Sequence, residues 1–167
     1  MMEGRETDLE YNLLMGLTGA SVSKHLLDEH FTLLWANDFY YDMIGYPKEE
    51  YEALFHNKPD LYFKGYDEAW NILSKNVYET IANKSSGYET VIQMPTRKGK
   101  RWTKITSTFT DQLQDGIPIS YTVMTDVEDV MRRRIEQTIT YDNIPGFISK
   151  HKVCLLYTSD AADEARS

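Results

Sequence analysis

The side chains that could do chemistry are few in this 167-residue chain, and they are scattered along it. Three histidines, His25, His30 and His56, lie around a predicted turn and in a predicted loop, where a lone histidine is usually structural or solvated. The carboxylate pairs at 49–50 and 128–129 are adjacent in sequence, so they fall on helix surfaces rather than facing each other across a cleft. The sequence has no glycine-rich phosphate loop, no Ser/His/Asp constellation and no metal-ligand cluster. It therefore predicts a fragment without a catalytic centre and without a metal site.

Residues 31–46 predict a strand that turns sharply into a short helix. The first six residues are rich in β-forming types, and Asn37 and Asp38 then offer the side-chain oxygens typical of a helix N-cap. Apolar side chains follow at one-, three- and four-residue steps up to Ile44. Gly45 suits the left-handed residue that often ends a helix. Both halves of this segment are expected to present bulky side chains to one interior.

The other segments predict a further strand, two helices and a three-stranded meander. The predicted strands are 20–27, 31–36, 88–94, 102–110 and 119–124, and the last two are joined by a hairpin turn at Asp115–Gly116. Helices are predicted at 47–55 and 67–83, with a loop at 56–65 between them. The long helix has an apolar stripe made of Trp70, Leu73, Val77 and Ile81. Antiparallel strands with helices packed on one face indicate the α+β class.

The chain resembles a PAS domain, the sensor module of bacterial signalling proteins, over about residues 17–130. The resemblance rests on Ala36–Asn37, Phe39, Gly45–Tyr46 and the acidic helix start at 48–50, and the strand-rich second half adds to it. It implies the PAS fold, in which a five-stranded antiparallel sheet carries helices on one face. Here that domain would be flanked by N-terminal and C-terminal linker helices.

PAS domains enclose a pocket between the sheet and the helices, and the resemblance implies one here. Such a site would be concave and mostly apolar, with few polar groups. The alternative is a filled core without a ligand, because aromatic stripes at helical spacing commonly belong to a core. The candidates for the pocket wall are Trp35, Phe39, Tyr40, Ile44, Trp70, Leu73, Val77, Ile92 and Ile105.

The sequence leaves the cofactor unknown and disfavours flavin and haem. Flavin photosensors of the light-oxygen-voltage kind need a reactive cysteine on a pocket helix, and the only cysteine is Cys154 in the C-terminal tail. Haem PAS sensors of the common type use a histidine on the long helix, and residues 67–83 contain none.

The exit of the domain resembles the Asp-Ile-Thr type of motif through Asp126 and Val127, although Glu128 replaces the usual threonine. The resemblance implies that these two residues relay a signal into the helix that follows. Val127, Met131, Ile135 and Ile139 recur at every fourth residue, which predicts a homodimer formed through the flanking helices.

An internal repeat predicts a tandem array. Residues 22–25, Val-Ser-Lys-His, reappear as Ile-Ser-Lys-His at 148–151, at the distance expected of a second domain. The tail from Cys154 resembles translated sequencing-adapter read-through and is set aside. The predicted organisation is an N-terminal helix (1–18), a PAS domain (19–127), a signalling helix (128–140), the start of a truncated second PAS domain (141–153) and a non-native tail (154–167).

Composition limits the classes of partner. The net charge of −8 disfavours nucleic acid and anionic membrane surfaces, and the 41% hydrophobic content indicates a globular chain. No apolar run is long enough to span a membrane and no signal peptide opens the chain, so a cytoplasmic location is predicted.

The sequence thus predicts a bacterial sensory module that binds a small ligand or dimerises and signals to an output domain beyond this fragment. The resemblance makes a diguanylate cyclase the first expectation for that output and a histidine kinase the second. The alternatives are a ligand-free structural dimerisation domain, or a small α+β enzyme or ligand carrier.

Overall fold

The computed structural model describes Leu13 and residues 19–142, with side chains up to residue 139. It divides into two compact units, Met1–Asp126 and Val127–Ser167. The predicted N-terminal helix, Leu13 apart, lies outside the described residues. So do the predicted tail and all but the first two residues of the predicted second PAS domain, and those two close the helix that begins at Glu128.

The described part of the first unit contains five strands and four helices, and that of the second contains one helix. In chain order these are β1 (Ser21–Leu26), β2 (Leu33–Ala36), α1 (Asp38–Ile44), α2 (Lys48–Phe55), α3 (Pro59–Tyr62), α4 (Asp67–Ala82), β3 (Gly87–Thr96), β4 (Gly99–Gln114), β5 (Ile117–Asp126) and α5 (Glu128–Asp142).

The strands form one antiparallel sheet in the order β2-β1-β5-β4-β3. β1 and β5 are neighbours although they stand at opposite ends of the unit in sequence, and the four helices connect the β1–β2 hairpin to the meander. This arrangement confirms the predicted α+β class and the predicted five-stranded sheet. The hairpin turn at Asp115–Gly116 is also confirmed, since both residues have positive φ, 52° and 79°.

The strand-to-helix turn forms as predicted, and Asn37 is its centre. The Asn37 side chain accepts a hydrogen bond from the Tyr40 amide as the N-cap of α1, and Gly45 ends that helix in the left-handed conformation. The same Asn37 oxygen also accepts from the Val22 amide, and its amide group donates to the Ala20 carbonyl. One side chain therefore starts α1 and attaches it to β1.

Two local predictions were wrong. Residues 59–62 form the short helix α3 rather than loop, because Pro59 occupies its first turn, where the missing N–H costs nothing, and Pro59 and Tyr62 are both buried. Ile81 does not belong to the buried stripe of α4 and is 49% exposed. A four-residue step advances 400° around a helix, which is more than one full turn, so repeated four-residue steps leave the buried face. The buried residue that follows Val77 is therefore Thr80 and not Ile81.

An aromatic core holds the helices against one another. Tyr51 is fully buried, and the rings of Tyr40, Tyr41, Phe55 and Tyr62 lie around it with centroids 5.3 to 6.0 Å away. Burial raises the pKa of Tyr51 to about 12, so this hydroxyl stays protonated at neutral pH. The Tyr62 hydroxyl donates to the Pro95 carbonyl and thereby ties α3 to β3.

The second unit is described by the single helix α5. Apolar side chains stay exposed along it, at 45% for Val130, 41% for Ile135 and 54% for Ile139. An ion pair between Glu128 and Arg132, one turn apart, lies on the helix surface.

Candidate functional site

A cavity lies between α4 and the inner face of the sheet in the first unit. From α4, Trp70, Leu73 and Val77 line one side, and Tyr40 of α1 and Ile105 of β4 also line the cavity. The cavity volume that the centre of a water molecule can reach is about 70 Å³. This is several times the space that one water needs, so the cavity can admit a small molecule.

The wall of the cavity is mostly apolar, and the described residues that line it include no Lys, Arg, Asp or Glu. Polar groups come almost entirely from the strands. The lining residues are Ser23, His25, Leu27, Phe31, Tyr40, Pro59, Phe63, Trp70, Leu73, Val77, Tyr88, Met94, Ile105, Ser107, Ser120, Thr122 and Met124. An apolar wall with a few polar groups on one side is typical of a small-molecule site.

The polar side of the cavity is a row of hydroxyl groups across four strands, which we call the polar floor. Strand register places Ser23 opposite Thr122, Thr122 opposite Ser107, and Ser107 opposite Tyr88. The Thr122 hydroxyl donates to the Ser107 Oγ at 3.1 Å. Because facing residues of neighbouring strands point to the same side of a sheet, the row forms one continuous polar strip.

His25 completes the polar floor beside Ser23. Its Nδ1 lies 2.8 Å from the Phe31 carbonyl oxygen, and its Nε2 lies 2.9 Å from the Ser23 Oγ. A carbonyl can only accept, so Nδ1 carries the proton and Nε2 accepts from the Ser23 hydroxyl. Burial lowers the pKa of His25, so the ring is neutral at neutral pH.

The tyrosines that reach the cavity are also uncharged. Burial raises the pKa of Tyr88 to about 12. Burial also raises the pKa of Tyr40 well above its ordinary value, and the neighbouring Tyr51 hydroxyl adds to this. The titratable groups known to line the cavity, His25, Tyr40 and Tyr88, are therefore neutral near pH 7.

Five of the nine predicted wall residues lie together on the cavity: Tyr40, Trp70, Leu73, Val77 and Ile105. The other four do not line it. Ile44 and Ile92 are fully buried in the core, and Trp35 on β2 and Phe39 on α1 are half-buried. The ligand-binding role of the nine stays a prediction.

The polar floor was not predicted from the sequence. The available signal was the alternation along the two strands. Ser23 and His25 lie on the same face of β1, and Ser120 and Thr122 lie on the same face of β5. Both faces belong to the cavity only because β1 pairs with β5, and that pairing joins residues almost a hundred positions apart.

Within the described residues, no group of three His, Cys, Asp or Glu side chains is placed to hold a metal ion. The helices in this part of the chain are also too short or too polar to cross a bilayer. Asp126, predicted to relay a signal, closes β5, where the Arg101 Nε donates to its Oδ2 at 2.6 Å.

No family model matches the sequence, and neither does any curated protein sequence. Solved structures do match the fold. A sensory box histidine kinase/response regulator from Burkholderia thailandensis aligns over 79% of this chain and 95% of its own, at 15% identity and a TM-score of 0.55.

Two matches with lower TM-scores have PAS in their names. A PAS domain from a two-component sensor histidine kinase aligns over 72% of this chain and 98% of its own, with 13% identity and a TM-score of 0.45. The N-terminal domain of a diguanylate cyclase with PAS/PAC sensor from Marinobacter aquaeolei covers 67% of this chain and 98% of its own, with 15% identity and a TM-score of 0.41.

The prediction that flavin is disfavoured was wrong. Structures of light-oxygen-voltage domains are among the matches, including one studied with a flavin analogue at 8% identity and a TM-score of 0.49. The prediction rested on the lack of a cysteine before residue 154. A reactive cysteine serves the photochemistry and is not required to hold a flavin, so its absence does not exclude one.

The match to the Burkholderia thailandensis structure agrees with the strand order β2-β1-β5-β4-β3 and with the placement of the helices between the β1–β2 hairpin and the meander. The chain has the PAS fold.

Proposed function

We propose that this chain is a sensory module of a bacterial signal-transduction protein, which binds a small molecule and passes its state to an output domain. The observation that carries the proposal is the cavity between α4 and the sheet. Its wall is apolar, its floor is polar, and β5 contributes Ser120, Thr122 and Met124 to it. A ligand bound there would therefore contact the strand that leads out of the domain.

Asp126 and Val127 are the proposed relay. Asp126 ends β5 and Val127 opens the next unit, so a shift along β5 reaches α5 through these two residues. The ion pair between Asp126 and Arg101 is exposed, so it contributes little to stability and its geometry can change at small cost. A signal of this kind requires the ligand to bind two arrangements with different affinity.

The output domain is proposed to be a diguanylate cyclase or, as the second choice, a histidine kinase, acting in the cytoplasm. The resemblance supports a diguanylate cyclase for a tandem PAS arrangement. Proteins of both kinds also occur by name among the structures that match the fold.

Native mass spectrometry of the full chain, purified without denaturation, tests ligand binding. We expect the wild type to retain a small molecule, and Val77→Phe to lose it because the added ring occupies the cavity. Ile81→Phe is the matched control, since it adds the same ring one turn later on α4 at an exposed position outside the lining. A wild-type chain without any retained mass, or retention that Val77→Phe leaves unchanged, contradicts the proposal.

A structural dimerisation domain is the second candidate, and the exposed apolar residues of α5 favour it. A parallel pair of these helices would bury Ile135 and Ile139, at about 25 cal/mol for each Å² of apolar surface removed from water. The same native spectra report the subunit number. A dimer without retained mass supports the second candidate, and a monomer contradicts dimerisation through α5.

A further inference from the structure

We propose that the cavity selects an uncharged molecule that carries a hydrogen-bond donor, and that the Ser23 hydroxyl oxygen, oriented by His25 on the polar floor, accepts this hydrogen bond. The inference rests on the proposed ligand-binding function and adds the chemical class of the ligand.

The absence of charge in the lining sets the first requirement. An ionised ligand would lose its hydration on entry, and none of the described lining side chains offers an opposite charge in return. Among the described lining residues His25 is the only basic one, and burial holds it neutral. A carboxylate or a phosphate ester is therefore a poor occupant, and a neutral molecule is favoured.

The direction of the hydrogen bonds sets the second requirement. His25 donates from Nδ1 to the Phe31 carbonyl, so its Nε2 takes the Ser23 hydroxyl hydrogen. The Thr122 hydrogen is likewise used by Ser107. The hydrogens of Ser23 and Thr122 are thus directed within the floor, and what these oxygens can still offer is lone pairs. A ligand group that donates, such as a hydroxyl or an N–H, complements them.

Phe31 connects this pair to the surface. Its φ of 54° is unusual for a bulky residue, and its ring lies 5.1 Å from Trp70 and 6.3 Å from the exposed Tyr78. The turn that holds Phe31 is fixed by the Asp28 carboxylate, which accepts from the Thr32 amide and hydroxyl. The His25 imidazole therefore orients the Ser23 hydroxyl through Nε2 and holds Phe31, which lines the cavity, through Nδ1.

Phenol, toluene and benzoate separate these requirements at nearly constant shape. Phenol is neutral and carries a donor, toluene is neutral without one, and benzoate is charged. Binding of each to the full chain at pH 7 is measured by NMR titration, for the wild type, Ser23→Ala and Ser21→Ala. Ser21 is the matched control because it is also buried on β1, two residues away, but does not line the cavity.

We expect phenol and toluene to bind the wild type and benzoate not to bind. Ser23→Ala should weaken phenol by about five- to tenfold, the value of one hydrogen bond, and leave toluene within about twofold. Ser21→Ala should change neither. Should Ser23→Ala fail to fold, contacts between phenol protons and the His25 ring protons in wild-type NOE spectra give the second measurement, and their absence overturns the inference.

The remaining outcomes separate this inference from the proposed function. Benzoate that binds as tightly as phenol, or equal weakening of phenol and toluene by Ser23→Ala, overturns the ligand class while the cavity stays a binding site. Failure of all three probes to bind overturns the inference. It overturns the proposed function as well when native spectra of the same preparation also show no retained molecule.

Discussion

Asn37→Ala is expected to lower the free energy of unfolding by about 3 kcal/mol, the sum of three hydrogen bonds at roughly 1 kcal/mol each. The Asn37 Oδ1 accepts from the Val22 amide at 3.0 Å and from the Tyr40 amide at 3.2 Å, and its Nδ2 donates to the Ala20 carbonyl at 2.8 Å. Alanine leaves these backbone groups without their partner in a partly buried place. Urea denaturation followed by circular dichroism measures the change.

Two further variants separate the roles of Asn37. Asn37→Asp keeps the oxygens that cap α1 but faces the Ala20 carbonyl with a carboxylate, so we expect a loss smaller than that of the alanine variant. Asp38→Ala, at the exposed next residue, should cost only about 0.5 kcal/mol. A loss for Asn37→Ala no greater than for Asp38→Ala would show that the side chain does not join β1 to α1.

Gly87→Ala is expected to destabilise the domain by about 3 kcal/mol or more, which is the upper range for overpacking. A Cβ at this position would lie 2.0 Å from the Ser107 carbonyl oxygen and 3.0 Å from its carbon. Both atoms belong to the backbone of β4, so β3 and β4 would have to separate where they are paired. The displacement would also move the Ser107 hydroxyl, which is part of the polar floor.

Thermal unfolding of Gly87→Ala and of Gln93→Ala compares a close approach with an exposed position on the same strand. We expect a melting temperature lower by about 10 °C or more for the first variant and a change of about 2 °C or less for the second. Similar melting temperatures for the two variants would contradict the close approach of the strands at Gly87.

The local elements of this fold were predictable, and the long-range role of Asn37 was not. Asn37 and Gly45 act through neighbours within four residues, so the residue types were enough to predict the cap and the end of α1. The bonds from Asn37 to Ala20 and Val22 join positions 17 and 15 residues apart, respectively. Such contacts depend on how β1 pairs with its neighbours, and no local pattern contains that information.

In the candidate site, the helical wall was predictable from the sequence and the polar floor was not. Helical spacing predicted Trp70, Leu73 and Val77, because an apolar stripe on a helix indicates its buried face. Serine and histidine on a strand are more often solvated, so Ser23 and His25 gave no such signal. They face a cavity because β1 is an inner strand of the sheet, which becomes evident only from the strand order.

Hydrogen exchange measured by mass spectrometry on the full chain, with and without phenol, tests most directly whether the cavity communicates with the end of the domain. We expect slower exchange in β5 on binding and a change in exchange within Glu128–Asp142. In Asp126→Ala, the protection of β5 should persist while the change in the helix is lost. Phenol binding that alters exchange around the cavity but leaves residues 117–142 unchanged would contradict the proposed sensory role.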